Sequence, residues 1–406
     1  MASIKAFRGL RPRADIASKL SELPYDVCNS EEAREISAGN EYNFYHITKP
    51  EIDLPKDTDP YSSEVYSKAA ENFKAFVEKG YLVEDEKELL YLYTLTMNGR
   101  TQTGLVTVVS VDDYDKGVIK KHELTRQAKE DDRIRHIDSV NAQTGPVFLL
   151  YKQKKEIREL FEDVLKNEPL YEFTSNDGVY HALRAIRADD QIASLVEYFD
   201  CLDLYIADGH HRAASAARVG RERAAKGIKD GSDYFLSVVF PDEQLYIMPY
   251  NRVVNDLNAH SKDEFFELLS KKYKIEATKN KTPLASSSVA MYIDSEWYML
   301  TPLFEISSDP VESLDVQILQ KQVLSPILGI DDPRVSERID FVGGIRGTDE
   351  LERLVDSGNF AVAFSMYPTT IDQLISVSDS GLVMPPKSTW FEPKLRSGMV
   401  IHAFKK

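Results

Sequence analysis

The chain has 406 residues, 42% hydrophobic and 29% charged, a makeup that suits a globular protein long enough for two domains or one large one with a well-buried core. Its net charge of −16 argues against bulk binding to nucleic acid or an anionic membrane, which needs a positive surface, but not against a small anion in a locally basic pocket. Only Cys28 and Cys201 occur, and no apolar run reaches the length of a membrane span, so a disulfide framework, a cysteine-based zinc site and a transmembrane helix are all disfavoured.

Residues 1–8 lack the apolar core of a signal peptide, and cytoplasmic residence is the default expectation. Two proline-fixed loops follow, Phe7-Arg8-Gly9-Leu10-Arg11-Pro12 and Leu23-Pro24-Tyr25-Asp26-Val27. Arg8, Arg11 and Asp26 can face a pocket there, or simply form surface ion pairs. A short helix is expected over 30–39, capped by Ser30 and stopped by Gly39. The aromatic run 44–51 reads as a strand ending at Pro50, with His46 better suited to a structural role than to the alternative, a ligand contact. Val65, Ala69, Phe73, Phe76 and Val77 recur at helical spacing, which predicts a helix over 61–80. Asn98-Gly99 between the apolar runs 91–96 and 103–111 predicts a hairpin.

Residues 119–146 are densely polar. His122 and Glu123 sit at a turn before a predicted helix over 125–140, with Arg126 at its start. The stretch ends in Asn141-Ala142-Gln143-Thr144-Gly145-Pro146, ahead of an apolar strand at 147–151. Loops at strand ends gather sites, so part of this stretch is expected to line a pocket. A charged solvated face is the alternative. A helix over 153–166, a strand at 180–186 and a helix at 188–198 come next.

The apolar run 203–207 then breaks at Asp208-Gly209-His210-His211-Arg212, and strong helix formers continue to residue 226. A strand, a tight turn and a helix start therefore share a short space. Backbone N–H groups at the helix N-terminus, with Arg212 and the imidazoles of His210 and His211, make a cradle for phosphate or carboxylate. Gly209 lets the chain turn sharply and approach a ligand. The alternative is a polar surface cap.

Beyond it, the strand 234–240 is expected to turn through 241–244 into 245–248 as a hairpin. Helices are expected at 261–273 and 313–328, with a hairpin around Asp294-Ser295-Glu296. Gly343-Gly344-Ile345-Arg346-Gly347 lies between a short strand at 339–342 and a helix at 348–357. It makes Arg346 a phosphate-contact candidate, although no Walker Gly-Lys-Ser/Thr follows and packing turns also use glycine. A strand at 360–367 and a helix at 369–377 precede Pro385-Pro386-Lys387-Ser388-Thr389. That segment presents Lys387, Ser388 and Thr389 to an anionic oxygen, or serves as a polar turn. A last strand is expected at 399–404. No linker marks a domain boundary; a division into 1–151 and 152–406 is expected, with its position open.

Taken together, Ala6-Phe7-Arg8-Gly9-Leu10-Arg11-Pro12, Pro24-Tyr25-Asp26-Val27, Ala207-Asp208-Gly209-His210-His211-Arg212 and Pro385-Pro386-Lys387-Ser388-Thr389-Trp390-Phe391 resemble the prokaryotic domain-of-unknown-function 1015 family over nearly the whole chain. More distantly, the turn at 208–212 is similar to that of the ParB/sulfiredoxin superfamily, which includes archaeal free-serine kinases. That resemblance covers the motif with its flanking strand and helix. It implies a mixed α/β fold with a ParB/sulfiredoxin-like core and additional mixed-sheet elements, and ADP or ATP with Mg²⁺ as partners. It also implies that Asp208, His210, His211 and Arg212 contact phosphates or metal. Sulfiredoxin chemistry is disfavoured, since histidine stands where that turn has its cysteine.

The leading expectation is a phosphotransferase or phosphoester-processing enzyme acting on a small hydroxylated or phosphorylated metabolite, with serine or phosphoserine the first candidate. His210, His211, Arg212 and Lys387 would clamp phosphates, with Arg11, His122, Arg126, Gly209, Arg346, Ser388 and Thr389 as further phosphate or ligand contacts. Asp208 would bind Mg²⁺ or position a histidine, Glu123 would take the hydroxyl proton, and His211 would share in catalysis. A non-catalytic nucleotide- or metabolite-binding regulator is the second reading. A metal-dependent hydrolase, with Asp208, His210 and His211 as ligands, is the third. Nothing calls for a flavin, haem or structural zinc, and the oligomeric state is left open.

Overall fold

β-Branched and aromatic stretches from the first 241 residues meet in one mixed sheet. The computed structural model describes residues 2–405. The sheet strands are β1 (Ile4–Lys5), β2 (Leu90–Met97), β3 (Arg100–Ser110), β4 (Ile119–Lys120), β5 (Val147–Tyr151), β6 (Tyr171–Thr174), β7 (Tyr180–Ile186), β8 (Leu204–Asp208) and β9 (Tyr234–Pro241). Their spatial order is β4-β8-β5-β9-β3-β2-β7-β6, with β1 also on β3. β8 runs parallel to β4 and antiparallel to β5, while β9 runs parallel to β5 and antiparallel to β3. The fold is mixed α/β, as expected. The β2–β3 hairpin turns at Asn98 and Gly99, whose φ values of 51° and 76° supply the left-handed pair such a turn needs.

Three helices place the polar stretches on this sheet: α1 (Ser63–Glu78), α2 (Gln127–Val140) and α3 (His210–Ala225). Ala213, Ala214, Ala216 and Ala217 are buried with Ile134 and Ile137 in one core. Such small side chains let α2 and α3 approach closely. The Ser215 hydroxyl lies 2.7 Å from the His211 carbonyl and 3.2 Å from that of Glu130, stitching the first turns together. Arg218 pairs with Asp131 at 2.8 Å, and Arg223 with Asp138 at 2.8 Å. A second core, with Leu20, Phe44, Ile47, Ala69, Phe76 and Ile401, lies beneath α1.

Compact packing divides the chain into Met1–Leu245 with Pro393–Lys406, and Tyr246–Glu392. A boundary at residue 151 would fall inside the first unit's sheet, because β5 pairs with both β8 and β9. The second unit has its own six-stranded antiparallel sheet, with strands in the order Tyr273–Ala277, Glu296–Pro302, Val289–Ile293, Val362–Ser365, Tyr250–Val254, Ile339–Gly343. Its core holds Val253, Tyr292, Trp297, Val342 and Leu351.

Several local expectations need correction. The run 44–51 is not a strand: Tyr45–Thr48 is helical and Pro50–Asp53 forms a 3-10 turn. The Asn43 side chain accepts the Tyr45 N–H at 2.9 Å and Pro50 opens the second turn, so local capping overrides the aromatic strand preference. His46 is structural, 2.8 Å from Asp53. Asn29, not Ser30, caps the helix Ser30–Ser37. The expected hairpin from β9 into 245–248 is absent. β9 ends at Pro241, and Ile247–Met248 pairs antiparallel with Trp390–Phe391 instead. The helix expected over 313–328 is α-helical only at Asp315–Leu319, followed by a π turn at Gln320–Leu324. The last strand is reduced to His402–Ala403. Among the described residues, no helix is long and apolar enough to cross a membrane.

Candidate functional site

The site grows from a defect in β8. Its register against β5 shifts between Ile206 and Asp208, a bulge that re-aims the strand's last side chain. Gly209 follows with φ of 92°, a left-handed conformation in which α3 can begin at His210 directly after the strand. Gly209 has no side chain to cap the helix, and the first turn carries no side-chain cap.

Two cations converge on the re-aimed carboxylate. Lys394 Nζ donates to Asp208 Oδ2 at 3.2 Å, and Arg212 Nη2 lies 3.7 Å from the same oxygen. Both cations are nearly buried, with side-chain exposures of 13% and 10%. Burial alone would raise the Asp208 carboxyl, but Lys394 and then Arg212 outweigh it and hold it well below the usual carboxylate range. Asp208 is therefore ionised. Arg212 Nη1 also donates to the Pro146 carbonyl, which ties the 141–146 loop to the turn.

The 121–126 loop is docked on the two histidines by its backbone. The His122 N–H donates to His210 Nε2 at 3.4 Å, and the Arg126 N–H donates to His211 Nε2 at 3.0 Å. With Nε2 accepting, each neutral imidazole carries its proton on Nδ1. His210 Nδ1 faces Glu123 Oε2 at 3.8 Å, too long for a hydrogen bond. The His122 and His210 rings meet edge to face, with centroids 4.4 Å apart. Burial lowers all three histidines: His122 to about 4, His210 far below its ordinary value with His122 adding to the effect, and His211 against the pull of Asp26 and Glu130. At neutral pH this is a set of neutral imidazoles beside two fixed cations. Neither ring nitrogen of buried His122 has a well-formed hydrogen bond among the described residues, although the Ile206 backbone lies alongside and favours its protonated form.

The family model described as "Protein of unknown function (DUF1015)" matches residues 4–317, most of the chain. The chain belongs to that family. No curated protein matches it. Solved structures similar to it include a free serine kinase in complex with AMP, at 14% identity and a TM-score of 0.35, covering 70% of this chain and 86% of that one. A conserved hypothetical protein from Pyrococcus furiosus is similar at 14% identity and a TM-score of 0.32, covering 70% and 90%. SbnI with a C-terminal truncation from Staphylococcus aureus is similar at 12% identity and a TM-score of 0.38, covering 72% and 85%.

In this DUF1015 chain the expected site residues separate into groups. His122, Glu123, Arg126, Asp208, Gly209, His210, His211 and Arg212 come together. Arg11 is held elsewhere in the first unit, in a two-bond fork with Asp85 at 2.7 and 2.9 Å. Arg346, Lys387, Ser388 and Thr389 belong to the second unit. There Arg346 is exposed, and a side chain at Gly343 would strike Trp390 at 2.8 Å, so that glycine serves packing. The Ser388 hydroxyl turns inward onto the Pro385 carbonyl at 2.6 Å, and the Lys387 carbonyl accepts from buried Arg252 at 3.0 Å. Lys394 was not singled out by the sequence. It follows a proline in an extended stretch, and nothing local marks it.

Asp208 and His210 do not fit a metal site. Asp208 is engaged by two cations, and among the described residues no group of three or more His, Cys, Asp or Glu side chains could hold a metal ion.

A Gly209→Ala substitution tests the turn. The left-handed φ costs a side chain about 1–2 kcal/mol, and the new Cβ would lie 2.9 Å from Arg212 Cζ and Nε. Arg212 must then swing off Asp208. The expected result is a melting temperature a few degrees lower, with a larger loss in anion affinity than in stability, measured by calorimetry.

Proposed function

We propose that the first unit is a phosphotransferase acting on a small hydroxylated or phosphorylated metabolite, with nucleotide phosphates held at the turn Asp208–Arg212. The observation that carries this reading is the pair of nearly buried cations, Lys394 and Arg212, gathered on one carboxylate at the open N-terminus of α3. A helix N-terminus with two fixed cations favours phosphate oxygens. Phosphoryl transfer asks mostly for positioning and charge stabilisation, which such groups supply.

Within this reading Asp208 organises the two cations, and Arg126 and the first-turn N–H groups supply further donors. Glu123, with 39% of its side chain exposed, takes the proton of the acceptor hydroxyl. His210 and His211 hold the 121–126 loop in place. ADP or ATP is the expected nucleotide, and serine or phosphoserine the first substrate candidate. Mg²⁺, if used, would arrive with the nucleotide phosphates.

The test is calorimetric titration with ADP, ATP and inorganic phosphate, followed by a phosphotransfer assay. Lys394→Met should weaken nucleotide binding by about tenfold or more. Glu123→Gln should leave nucleotide binding unchanged and lower turnover by about a hundredfold or more. A protein that binds no nucleotide and no phosphorylated metabolite would end the proposal.

One observation favours the second reading, a non-catalytic nucleotide-binding regulator. The acceptor nitrogens of both His210 and His211 are taken by backbone amides, so neither is poised as a base. Tight binding without turnover, insensitive to Glu123→Gln, would select it.

A further inference from the structure

Within the first unit, Arg212 also borders a cavity of about 40 Å³. That volume holds about three waters or one small polar group, and is far too small for a nucleoside. Its lining includes Arg133, Arg212, His136, Tyr25, Thr144 and Ser397, and no aspartate or glutamate. Two arginines thus line one small space that no aspartate or glutamate borders.

The countercharges of these arginines come from residues outside the lining. Asp132 accepts from Arg133 Nε and lies 2.8 Å from its Nη2, while also accepting the Tyr66 hydroxyl at 2.8 Å. Asp208 serves Arg212 from 3.7 Å. Arg133 is fixed in orientation by stacking 3.8 Å over the Tyr25 ring. Arg212 Nε is buried with no hydrogen-bond partner among the described residues. A buried N–H of a charged group left unpaired is costly, so the Arg212 side chain keeps hydrogen-bonding capacity that the described residues do not meet.

We infer that this cavity is a subsite for the carboxylate of a small hydroxy or amino acid. A planar, singly charged carboxylate matches guanidinium geometry and fits the space. The two arginines already answer two carboxylates, so a dianion would be left under-compensated. Thr144 and Ser397 offer hydroxyl donors to the second oxygen. This deepens the phosphate-site reading and rests on it, since Arg212 would join the acceptor's carboxylate to the phosphoryl donor.

Calorimetric titration of the full chain tests it. Glycerate and serine are compared with glycerol and serinol, which keep hydroxyls but lack the carboxylate, and with inorganic phosphate and ADP. Glycerate or serine should bind, and glycerol and serinol should not. Arg133→Lys, which keeps the charge but loses the fork, and Thr144→Val, which keeps the shape, should each weaken the carboxylate ligand by about tenfold or more. ADP affinity should stay within about twofold in both variants, since neither residue belongs to the phosphate cradle. The inference is overturned if neither acid binds, if the carboxylate-free analogues bind equally well, if phosphate competes with the acids at equal affinity, or if both variants bind like the wild type. Absence of ADP binding alongside intact, variant-sensitive acid binding would instead sink the phosphate-site reading alone.

Discussion

Replacing Asp208 with asparagine is expected to tighten binding of inorganic phosphate or ADP by about tenfold, while lowering stability by about 2 kcal/mol. In the wild type Asp208 is ionised, because Lys394 and Arg212 overcome the effect of burial. An incoming oxyanion must share those cations with it. Two like charges about 6 Å apart, at an effective dielectric of about 20, repel by about 3 kcal/mol. Water at the mouth of the turn removes roughly half of that, and the remaining 1.4 kcal/mol or so is tenfold in affinity. The stability cost has the opposite origin. Without the carboxylate, two nearly buried cations lose their shared partner, a change that costs about 3–5 kcal/mol in full burial and less here, where the Asp208 side chain is 31% exposed. Phosphate titration and urea unfolding on the same preparations read both effects. Weaker phosphate binding in the asparagine variant would mean that the carboxylate contacts the ligand rather than competing with it.

That competition explains why the motif could be found in the sequence but not fully interpreted. Asp208-Gly209-His210-His211-Arg212 was legible because each signal is local: an apolar strand, a glycine able to adopt positive φ, and alanine-rich helix material. The Asn98-Gly99 hairpin and the strand Tyr180–Ile186 were legible for the same reason. Lys394 was not, because it reaches Asp208 from 186 positions away. The β8 bulge that aims Asp208 depends on β5 as partner, and no property of residues 206–208 announces it. The pairing of Ile247–Met248 with Trp390–Phe391 is equally non-local, and a turn-forming Pro-Asp-Glu-Gln made a nearby hairpin look sufficient. The opposite failure occurred at 44–51, where a local cap from Asn43 outweighed aromatic strand preference.

Pairwise distance in the chain also decided the fate of the other basic candidates. Arg11, Arg346 and Lys387 each stood in a glycine- or proline-rich segment, which marks a fixed turn but not what the turn faces. Arg11 is balanced by Asp85, and the main chain at Lys387 is clamped by Arg252. Basic residues in rigid turns are therefore divided between ligand contact and internal clamping by partners that only the fold supplies.

The first unit is expected to unfold as pH falls from about 6.5 to about 4. His122 and His136 are both lowered to about 4 and His181 to about 3, in each case chiefly by burial. The folded value lies below the unfolded one near 6.5, so the unfolded chain binds more protons throughout that window. The stability these groups contribute is fully present above pH 6.5 and is lost as pH falls toward their folded values. At pH 4 the loss is about 3 kcal/mol for each, or about 9 kcal/mol for the three, comparable to the whole stability of an ordinary domain. His46 acts with the opposite sign, since Asp53 raises it despite burial, but it is one group against several. In the second unit the buried Asp315 carboxyl is pushed up to about 6, so its contribution is fully present below about pH 4 and lost as pH rises through 6. Acid therefore selects against the first unit. Both tryptophans, Trp297 and Trp390, lie in the second unit, which gives the two units separate probes. Hydrogen exchange in the first unit's α2 and β7 should accelerate between pH 6 and 4 before tryptophan fluorescence changes. A His181→Phe variant, which removes one titrating group from the sheet at the expense of its bonds to Tyr93 and Ser175, should shift that transition to lower pH. Unchanged exchange down to pH 4 would show that these imidazoles are not neutral and buried as described.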